Sequence, residues 1–494
     1  VKIKNEIVKN LSIESVILVK LFSNMLEDKP NWLDALNEQI GEDKVSIEES
    51  CLQDFSHDET EDISKFPDVV VRPENSKDVS TILKIASKYK IPVTPAAART
   101  GLSGGSIPVF GGISLSMERF SRIIEIDESN SQATVEPGVI NQVFHDACRE
   151  KGLFYPPDPS SWGSSTLGGN VAYNAGGPKA VKYGVTSSYV LNLEVVLPNG
   201  EIIWTGANTL KNSTGYNLTQ LFVGSEGTLG VITKIVVRLL PYPMSSYTLL
   251  APFKSSDLAC KAVEKIFRSG VIPSGLEFME RDAIDWATKD LEKINIPTNK
   301  EIEAHLLIEV DGYDDDAVLK EAEKVGSVLD ENRAFNVLFA QTSKERDALW
   351  KLRRRVGEAV KSQSIYKEED TVVPRSKLPE LLRVVKSVGK EFKFKTVCYG
   401  HAGDGNLHVN ILKGDMSEEK WNGEHLKTGI RKIFEAVKSM GGTISGEHGI
   451  GLVQKIYLDV VFNQIEIQVQ KSIKNVFDPL GIMNPGKIFL DKTN

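Results

Sequence analysis

Three loops built almost wholly from small residues fall within about 140 residues of the first half of the chain, each next to a short β-branched run. Pro95–Gly105 (PAAARTGLSGG) follows the apolar Ile91–Thr94. The stretch from Pro156 to Gly184 (PPDPSSWGSSTLGGNVAYNAGGPKAVKYG) is loop-rich throughout. Val223–Thr233 (VGSEGTLGVIT) precedes Ile235–Leu240. A dinucleotide pyrophosphate carries two negative charges and needs several backbone N–H donors at close range, so small residues recur where backbone meets phosphate. Thr100 and Ser103 add hydroxyls to the first loop. No GxGxxG opens a helix and no GK[ST] follows, which excludes the two commonest phosphate-loop fingerprints. Tight turns in a β-rich domain are the plainer explanation for any one loop, and three in series weaken it. The middle stretch is not a linker, because Trp162, Val171, Tyr173 and Tyr183 lie among its glycines. It reads as an ordered loop around a ligand.

The 494 residues allow about three domains, or two large ones. With 41% apolar and 26% charged residues the chain can bury a large core, which excludes a disordered protein. A net charge of −8 leaves no basic surplus for a polyanion. Cys51, Cys148, Cys260 and Cys398 lie far apart, so neither a disulfide scaffold nor a zinc ribbon is expected and a reducing, cytoplasm-like compartment fits. The longest apolar runs stop well short of a membrane span, and VKIKNEIVKN lacks the apolar core of a secretory signal. A soluble cytoplasmic enzyme is expected.

Residues 1 to about 40 read as a mixed-charge helical leader. From Pro67 the texture becomes strand, helix, strand. Asp68–Arg72 is a short strand, Asn75 or Ser76 caps a helix whose Val79, Ile82, Leu83 and Ala86 keep the 3.6 period, and Ile91–Thr94 is a second strand. Strands are expected at Ile113–Met117, Ile123–Ile126, Ala133–Glu136, Val190–Leu197 and Ile202–Thr205, and a helix at Gln142–Lys151. Pro241 and Pro243 place a boundary near residue 243. Beyond it, helices at Ser256–Arg268, Asp315–Leu329 and from Ser343 to about Gln363 alternate with strands at His305–Glu309 and Asn336–Ala340.

Taken in series, Pro95–Gly105, VEPG (Val135–Gly138), PPDPSS (Pro156–Ser161), TLGGN (Thr166–Asn170), NAGG (Asn174–Gly177), KYG (Lys182–Gly184) and GSEGTLGVIT resemble the FAD-binding domain of the vanillyl-alcohol-oxidase/PCMH superfamily. The nearest subgroup in pattern holds the FAD-linked D-lactate and D-2-hydroxyglutarate dehydrogenases and the catalytic subunit of glycolate oxidase, over roughly residues 50 to 490. The resemblance implies an α+β fold: a PCMH-type FAD-binding domain of two α+β subdomains (46–243), after a leader (1–45). An α+β cap domain with a mainly antiparallel sheet (244–455) and a C-terminal segment returning to the FAD domain (456–494) follow. FAD is implied against Pro95, Arg99, Thr100, Gly101, Leu102, Ser103, Gly104 and Gly105 at the pyrophosphate. Further along the cofactor are Pro137, Gly138, Pro157, Asp158, Ser160, Ser161, Thr166, Gly169, Asn170, Asn174, Gly176, Gly177, Tyr183, Gly184, Glu226, Gly230, Ile232 and Asn484. One departure is Ala96, Ala97, Ala98 and Arg99, where relatives carry more glycine. Some relatives attach flavin through His or Cys. The pyrophosphate loop here has neither, so non-covalent FAD is expected.

Only seven histidines occur, and three fall in two compact motifs near the C-terminus. In CYGHAGDGNLHVNIL (Cys398–Leu412), His401 and His408 flank the turn-forming Gly403-Asp404-Gly405-Asn406, so two strands meeting there place them face to face. TISGEHGIG (Thr443–Gly451) brings Glu447 and His448 together. His401, His408 and Glu447 make a His₂Glu set suited to a divalent metal with open positions, Zn²⁺ or Mn²⁺; satisfied structural histidines are the alternative. In the resembled family these are the metal ligands. His448, diverging from Glu447, is placed to act as a base. Asn410, two residues after His408, shares its face if the segment is a strand, and either contacts substrate or faces solvent.

In the helix from Ser343 the apolar stripe is Leu349, Leu352, Val356 and Val360, and Arg353 projects from that stripe while Arg354 and Arg355 point elsewhere. A buried guanidinium needs an anion, either an internal carboxylate or that of a substrate. The resembled family uses an arginine here for the substrate carboxylate. Relatives acting on dicarboxylic acids add a Thr four residues on and a Lys downstream; Gly357 and the acidic run Glu368-Glu369-Asp370, with Lys367 adjacent, stand at those places, which argues against D-2-hydroxyglutarate. The resemblance implies oxidation of a D-lactate-like D-2-hydroxy acid, with hydride passing from Cα to flavin N5 and electrons on to a quinone, cytochrome or electron-transfer flavoprotein. It is compatible with a homodimer and a peripheral membrane position. The competing readings are a redox-neutral lyase or synthase of the same fold, whose relatives carry a different histidine cluster, and a noncatalytic FAD subunit of an oxidase complex.

Overall fold

The computed structural model describes residues 31–289 and 300–490. Of the expected leader, Asn31–Ile40 is a helix, and residues 1–30 lie outside the described residues. The first sheet has four strands in the order Val45–Ser46, Val69–Val71, Ile113–Ser116, Val93–Ala96; only the outermost, Val45–Ser46, runs antiparallel to its neighbour. The helix Ser76–Tyr89 covers it. Asn75 caps that helix by accepting from the backbone of Lys77 and Asp78, and Val79, Ile82, Leu83 and Ala86 bury against the strands. The second sheet is antiparallel, in the order Ile123–Asp127, Gln132–Val135, Val231–Arg238, Val190–Val196, Ile202–Trp204. Its strand Val231–Arg238 starts four residues earlier than the apolar pattern indicates, directly after the third glycine loop.

After the two-residue strand Leu240–Pro241 the chain enters a seven-stranded antiparallel sheet. Its order is Leu338–Ala340, Ser245–Phe253, Ala304–Gly312, Gly275–Glu280, Lys395–Gly400, Asn406–Leu412, Tyr366–Val372. One face packs under the helices Ser256–Arg268, Asp315–Glu331, Leu378–Phe392 and Glu424–Ser439, through Ala251, Phe253, Leu306, Ile308, Phe278 and Val409. The other carries Leu250, Leu307, Met279 and Val397 against the helices Arg281–Thr288 and Ser343–Lys361. With both faces covered, several strands read as continuous apolar runs rather than as an alternation. That second face then changes character toward Tyr366–Val372. Glu277, Tyr399, His408, Asn410, Glu368 and Asp370 project from it in register, His408 opposite Tyr399 and Asp370, and Asn410 opposite Glu368.

The C-terminal residues return to the first sheet. Val93 N–H donates to Ile482 O at 2.8 Å and Asn484 N–H to Val93 O at 2.7 Å, while Ile482 and Met483 enter the core beneath Ser76–Tyr89. Among the described residues no helix is long and apolar enough to cross a membrane.

Candidate active site

A cleft of about 700 Å³ runs between the glycine loops of the first half and the polar end of the seven-stranded sheet. Of the residues the sequence points to for a cofactor, Pro95, Arg99, Thr100, Gly101, Leu102, Gly105, Pro137, Ser160, Ser161, Thr166, Gly169, Asn170, Glu226, Gly230 and Ile232 line it. A Cβ on Gly105 would lie 1.7 Å from the Tyr173 hydroxyl, so that loop passes Tyr173 as bare backbone. Thr166 caps the helix Leu167–Tyr173, a helix inside what the composition presents as loop. Thr166 and the first turn of this helix carry TLGGN along the cleft wall.

The other expected cofactor residues stand behind that wall: Ser103, Gly104, Gly138, Pro157, Asp158, Asn174, Gly176, Gly177, Tyr183, Gly184 and Asn484. Several brace it. Asn484 Nδ2 donates to Gly105 O and Glu226 O, each at 2.8 Å. Asn174, in the left-handed region, accepts from Ser187 N at 2.8 Å. Ser103 O accepts from Leu452 N at 2.7 Å. Asp158 accepts from Lys179 N at 3.0 Å, and burial pushes its carboxyl up to about 7. Tyr183 turns to Asp311 (2.8 Å), where Lys179 and Lys182 also meet the cap sheet through Glu309 and Asp311. Arg99 borders the cleft, but its guanidinium pairs with Glu118 (2.9 Å) and lies 4.1 Å over Phe55.

Opposite the glycine loops the wall is formed by Arg353, Arg354, Gly357, Lys361, Glu368, Tyr399, His408, Glu447 and His448. The strands Lys395–Gly400 and Asn406–Leu412 pair antiparallel, and their turn tightens at Gly405, φ +79°, where a Cβ would lie 1.9 Å from Val373 O. The turn sets the His401 and His408 rings edge to face, centroids 5.3 Å apart. Glu447 Oε1 lies 3.2 Å from His401 Nε2 and 3.6 Å from His408 Nε2. A tetrahedral ion with bonds of about 2.1 Å spaces its ligands by about 3.4 Å. The donor set therefore fits a divalent ion, and it holds ligand types that zinc or manganese accepts. Behind it, Glu277 reaches His401 Nδ1 at 2.9 Å, the carboxylate–histidine pairing that orients a metal-ligating imidazole.

Charges in this cluster are mutually set. Burial opposes the charge on His401, but Glu277 and Glu447 outweigh it and hold the imidazole well above its usual range. Burial dominates at His408, pushing it down to about 4. Burial raises Glu447, and His401 more than reverses that, to about 2. His448 stacks on His408 at 5.1 Å with 13° between planes and opens onto the cleft. Asn410 is fully buried beside the Tyr399 hydroxyl.

Arg353 is 3% exposed. Its Nε donates to Glu277 Oε2 at 2.7 Å, and its guanidinium lies 5.3 Å from the Tyr399 ring centre. An internal carboxylate is thus present, and the arginine still borders the cleft. Arg354, off the apolar stripe, is exposed at the cleft mouth over Trp162. Glu277 and Tyr399 are not marked in the sequence, and Glu368 and Asp370 stand out there only as part of an acidic run, since an acidic or aromatic strand residue carries no mark of which neighbour it will face.

Comparison with known proteins places both halves of the chain in one family. Residues 67–206 match the model of the FAD binding domain, and residues 242–488 that of the C-terminal domain of FAD linked oxidases. The chain is 40% identical over 438 residues to the glycolate oxidase subunit GlcD of Bacillus subtilis (strain 168), covering 88% of this chain and 92% of the relative. It is 37% identical over 456 residues to a D-lactate dehydrogenase of Anaerostipes hadrus, covering 91% and 95%. In fold it is similar to p-cresol methylhydroxylase with substrate bound, at TM-score 0.76 and 16% identity over 94% of this chain and 97% of that one. A PCMH-type fold, an FAD binding domain and relatives matched over nearly their full length establish that this chain belongs to the FAD-linked oxidase family.

Proposed function

We propose that this protein oxidises a small, D-lactate-like D-2-hydroxy acid to the 2-oxo acid, using non-covalent FAD and a divalent ion, Zn²⁺ or Mn²⁺. One observation carries the proposal: a single cleft is lined on one side by Thr100, Gly105, Gly169 and Gly230 and on the other by Arg353, His408, Glu447 and His448. The names of the relatives, a glycolate oxidase subunit and a D-lactate dehydrogenase, agree in substrate class. The loop Pro95–Gly105 carries neither His nor Cys, in keeping with dissociable flavin.

When bound, FAD supplies a two-electron acceptor and the divalent ion supplies Lewis acidity beside the substrate hydroxyl. The residues of the chain do the rest. The Arg353 guanidinium, already desolvated, receives the substrate carboxylate, since a buried cation binds an anion more strongly than an exposed one. His401, His408 and Glu447 hold the ion. A His448 imidazole nitrogen removes the hydroxyl proton; burial opposes its charge, but Asp370, Glu368 and Glu447 outweigh burial and raise it above its ordinary range, which makes its neutral form a stronger base. Tyr399, which lines the cleft, fixes the substrate's polar groups from below, with Asn410 buried behind its hydroxyl. Loss of the proton from oxygen and of hydride from Cα leaves the carbonyl. A quinone, cytochrome or electron-transfer flavoprotein then takes the electrons.

Turnover with D-lactate in the presence of an artificial dye tests the reading. Stoichiometric dye reduction with pyruvate formed is expected. Product formed without net electron transfer would instead mark a redox-neutral enzyme of this fold.

A further inference from the structure

The segment Ser445–Gly451, which carries Glu447 and His448, has no helix or strand of its own. It hangs instead from two buried carboxylates, one from each half of the molecule. On the cap side, Asp370 Oδ2 accepts from three successive backbone N–H groups, Gly446 (2.7 Å), Glu447 (2.7 Å) and His448 (2.9 Å), and from Ser445 Oγ (3.1 Å). Its other oxygen accepts from Asn406 Nδ2 at 2.7 Å, which fixes the carboxylate to the neighbouring strand. On the flavin side, Glu226 Oε1 and Oε2 accept from Ile450 N and Gly451 N, each at 2.8 Å. Glu226 adopts φ 52°, a left-handed conformation that costs a non-glycine residue on the order of 1 kcal/mol or more. Such a cost persists where the surroundings over-determine the geometry.

We propose that Asp370 and Glu226 are positioning residues that suspend Ser445–Gly451 between the two halves, aiming Glu447 at the ion and His448 at the cleft. A carboxylate only 2% (Asp370) or 6% (Glu226) exposed needs donors, and here they come largely from the backbone of this one segment. Consecutive N–H groups converging on one oxygen form a nest. The nest turns successive residues outward in different directions, so Glu447 faces His401 while His448 stacks on His408. Because one anchor lies in GSEGTLG and the other in the cap sheet, the aim of the segment depends on the docking of both halves. The proposal rests on the assignment of Glu447 to the ion and His448 to the proton.

Hydrogen exchange of the FAD-loaded protein, read on peptides spanning 445–451, tests it alongside Zn²⁺ titration. Asp370→Asn is expected to speed exchange at Gly446, Glu447 and His448 by about tenfold or more. It should also weaken Zn²⁺ binding by about tenfold or more with FAD content unchanged. Glu226→Gln is expected to speed exchange at Ile450 and Gly451, and it decides the matter alone if Asp370→Asn does not fold. Unchanged exchange in this segment overturns the proposal, as does equal acceleration throughout the chain. A His401→Ala control separates the two claims: full Zn²⁺ binding in that variant contradicts the metal assignment, while the exchange data still judge the suspension.

Discussion

Arg353 and Glu277 form a buried ion pair, Nε to Oε2 at 2.7 Å, and the same carboxylate accepts from His401 Nδ1 at 2.9 Å. The proposed substrate anchor and the proposed metal ligand therefore share one counter-ion. Burial alone would raise Glu277, but His401 and Arg353 hold it below its usual range. Removing one partner of a buried pair leaves an uncompensated charge and costs about 3–5 kcal/mol. Glu277→Gln should lower unfolding free energy by that order in urea titrations and weaken metal binding by about 10–100-fold. A variant unchanged in both would show that the pair organises nothing.

His448→Ala should lower the rate of flavin reduction by about 10²–10⁴-fold, the usual contribution of a positioned base. Its FAD and metal contents should match the parent, because His448 stacks on His408 but supplies no atom to the His401–His408–Glu447 donor set. Stopped-flow reduction at saturating substrate gives the rate, and elemental analysis with the visible spectrum gives the contents.

Chelation should abolish flavin reduction while leaving the protein yellow, since the ligands His401, His408 and Glu447 belong to the cap side and the glycine loops to the other. Readdition of Zn²⁺ or Mn²⁺ should restore it. Bleaching at full rate after exhaustive chelation would remove the ion from the reaction.

Glu369 gives a pH prediction. Burial pushes its carboxyl up to about 7 against the lowering effect of Gln454, whose Nε2 donates at 2.5 Å, and of Lys367; Glu368 and Asp370 push it up further. A folded-state value above the unfolded one means stability fully present below about 4.5 and lost as pH rises through about 7. Glu369→Gln should flatten unfolding free energy between pH 5 and pH 7, by up to about 3 kcal/mol. Equal slopes in parent and variant would contradict it.

Much of the frame is legible in the sequence because local physics sets it. Asn75 ahead of Val79, Ile82 and Leu83 is enough to specify the helix Ser76–Tyr89, and Ser256–Arg268 follows from Ser255 and its apolar stripe in the same way. The clustering of His401 with His408 is equally local, being the work of one turn. Long-range pairing is not so encoded. Glu368-Glu369-Asp370 has the look of a solvated run, yet it lies in the strand Tyr366–Val372, with Glu369 and Asp370 buried because Gln454, the Ser445 hydroxyl and the backbone of Gly446–His448 supply their partners. Glu277 is silent in the sequence for the same reason, since its counter-ions Arg353 and His401 lie 76 and 124 residues away. Arg354 sits off the apolar stripe as the helical period requires, and the sequence has no means of showing that Trp162 would bring it to the cleft mouth.

Anaerobic titration of the FAD- and metal-loaded protein with a panel of D- and L-2-hydroxy acids, followed at the flavin absorption band, tests the account most directly. Rapid bleaching by D-lactate or D-2-hydroxybutyrate, with the L-enantiomers inert, is the predicted result. A flavin that stays oxidised with every acid in the panel would contradict it.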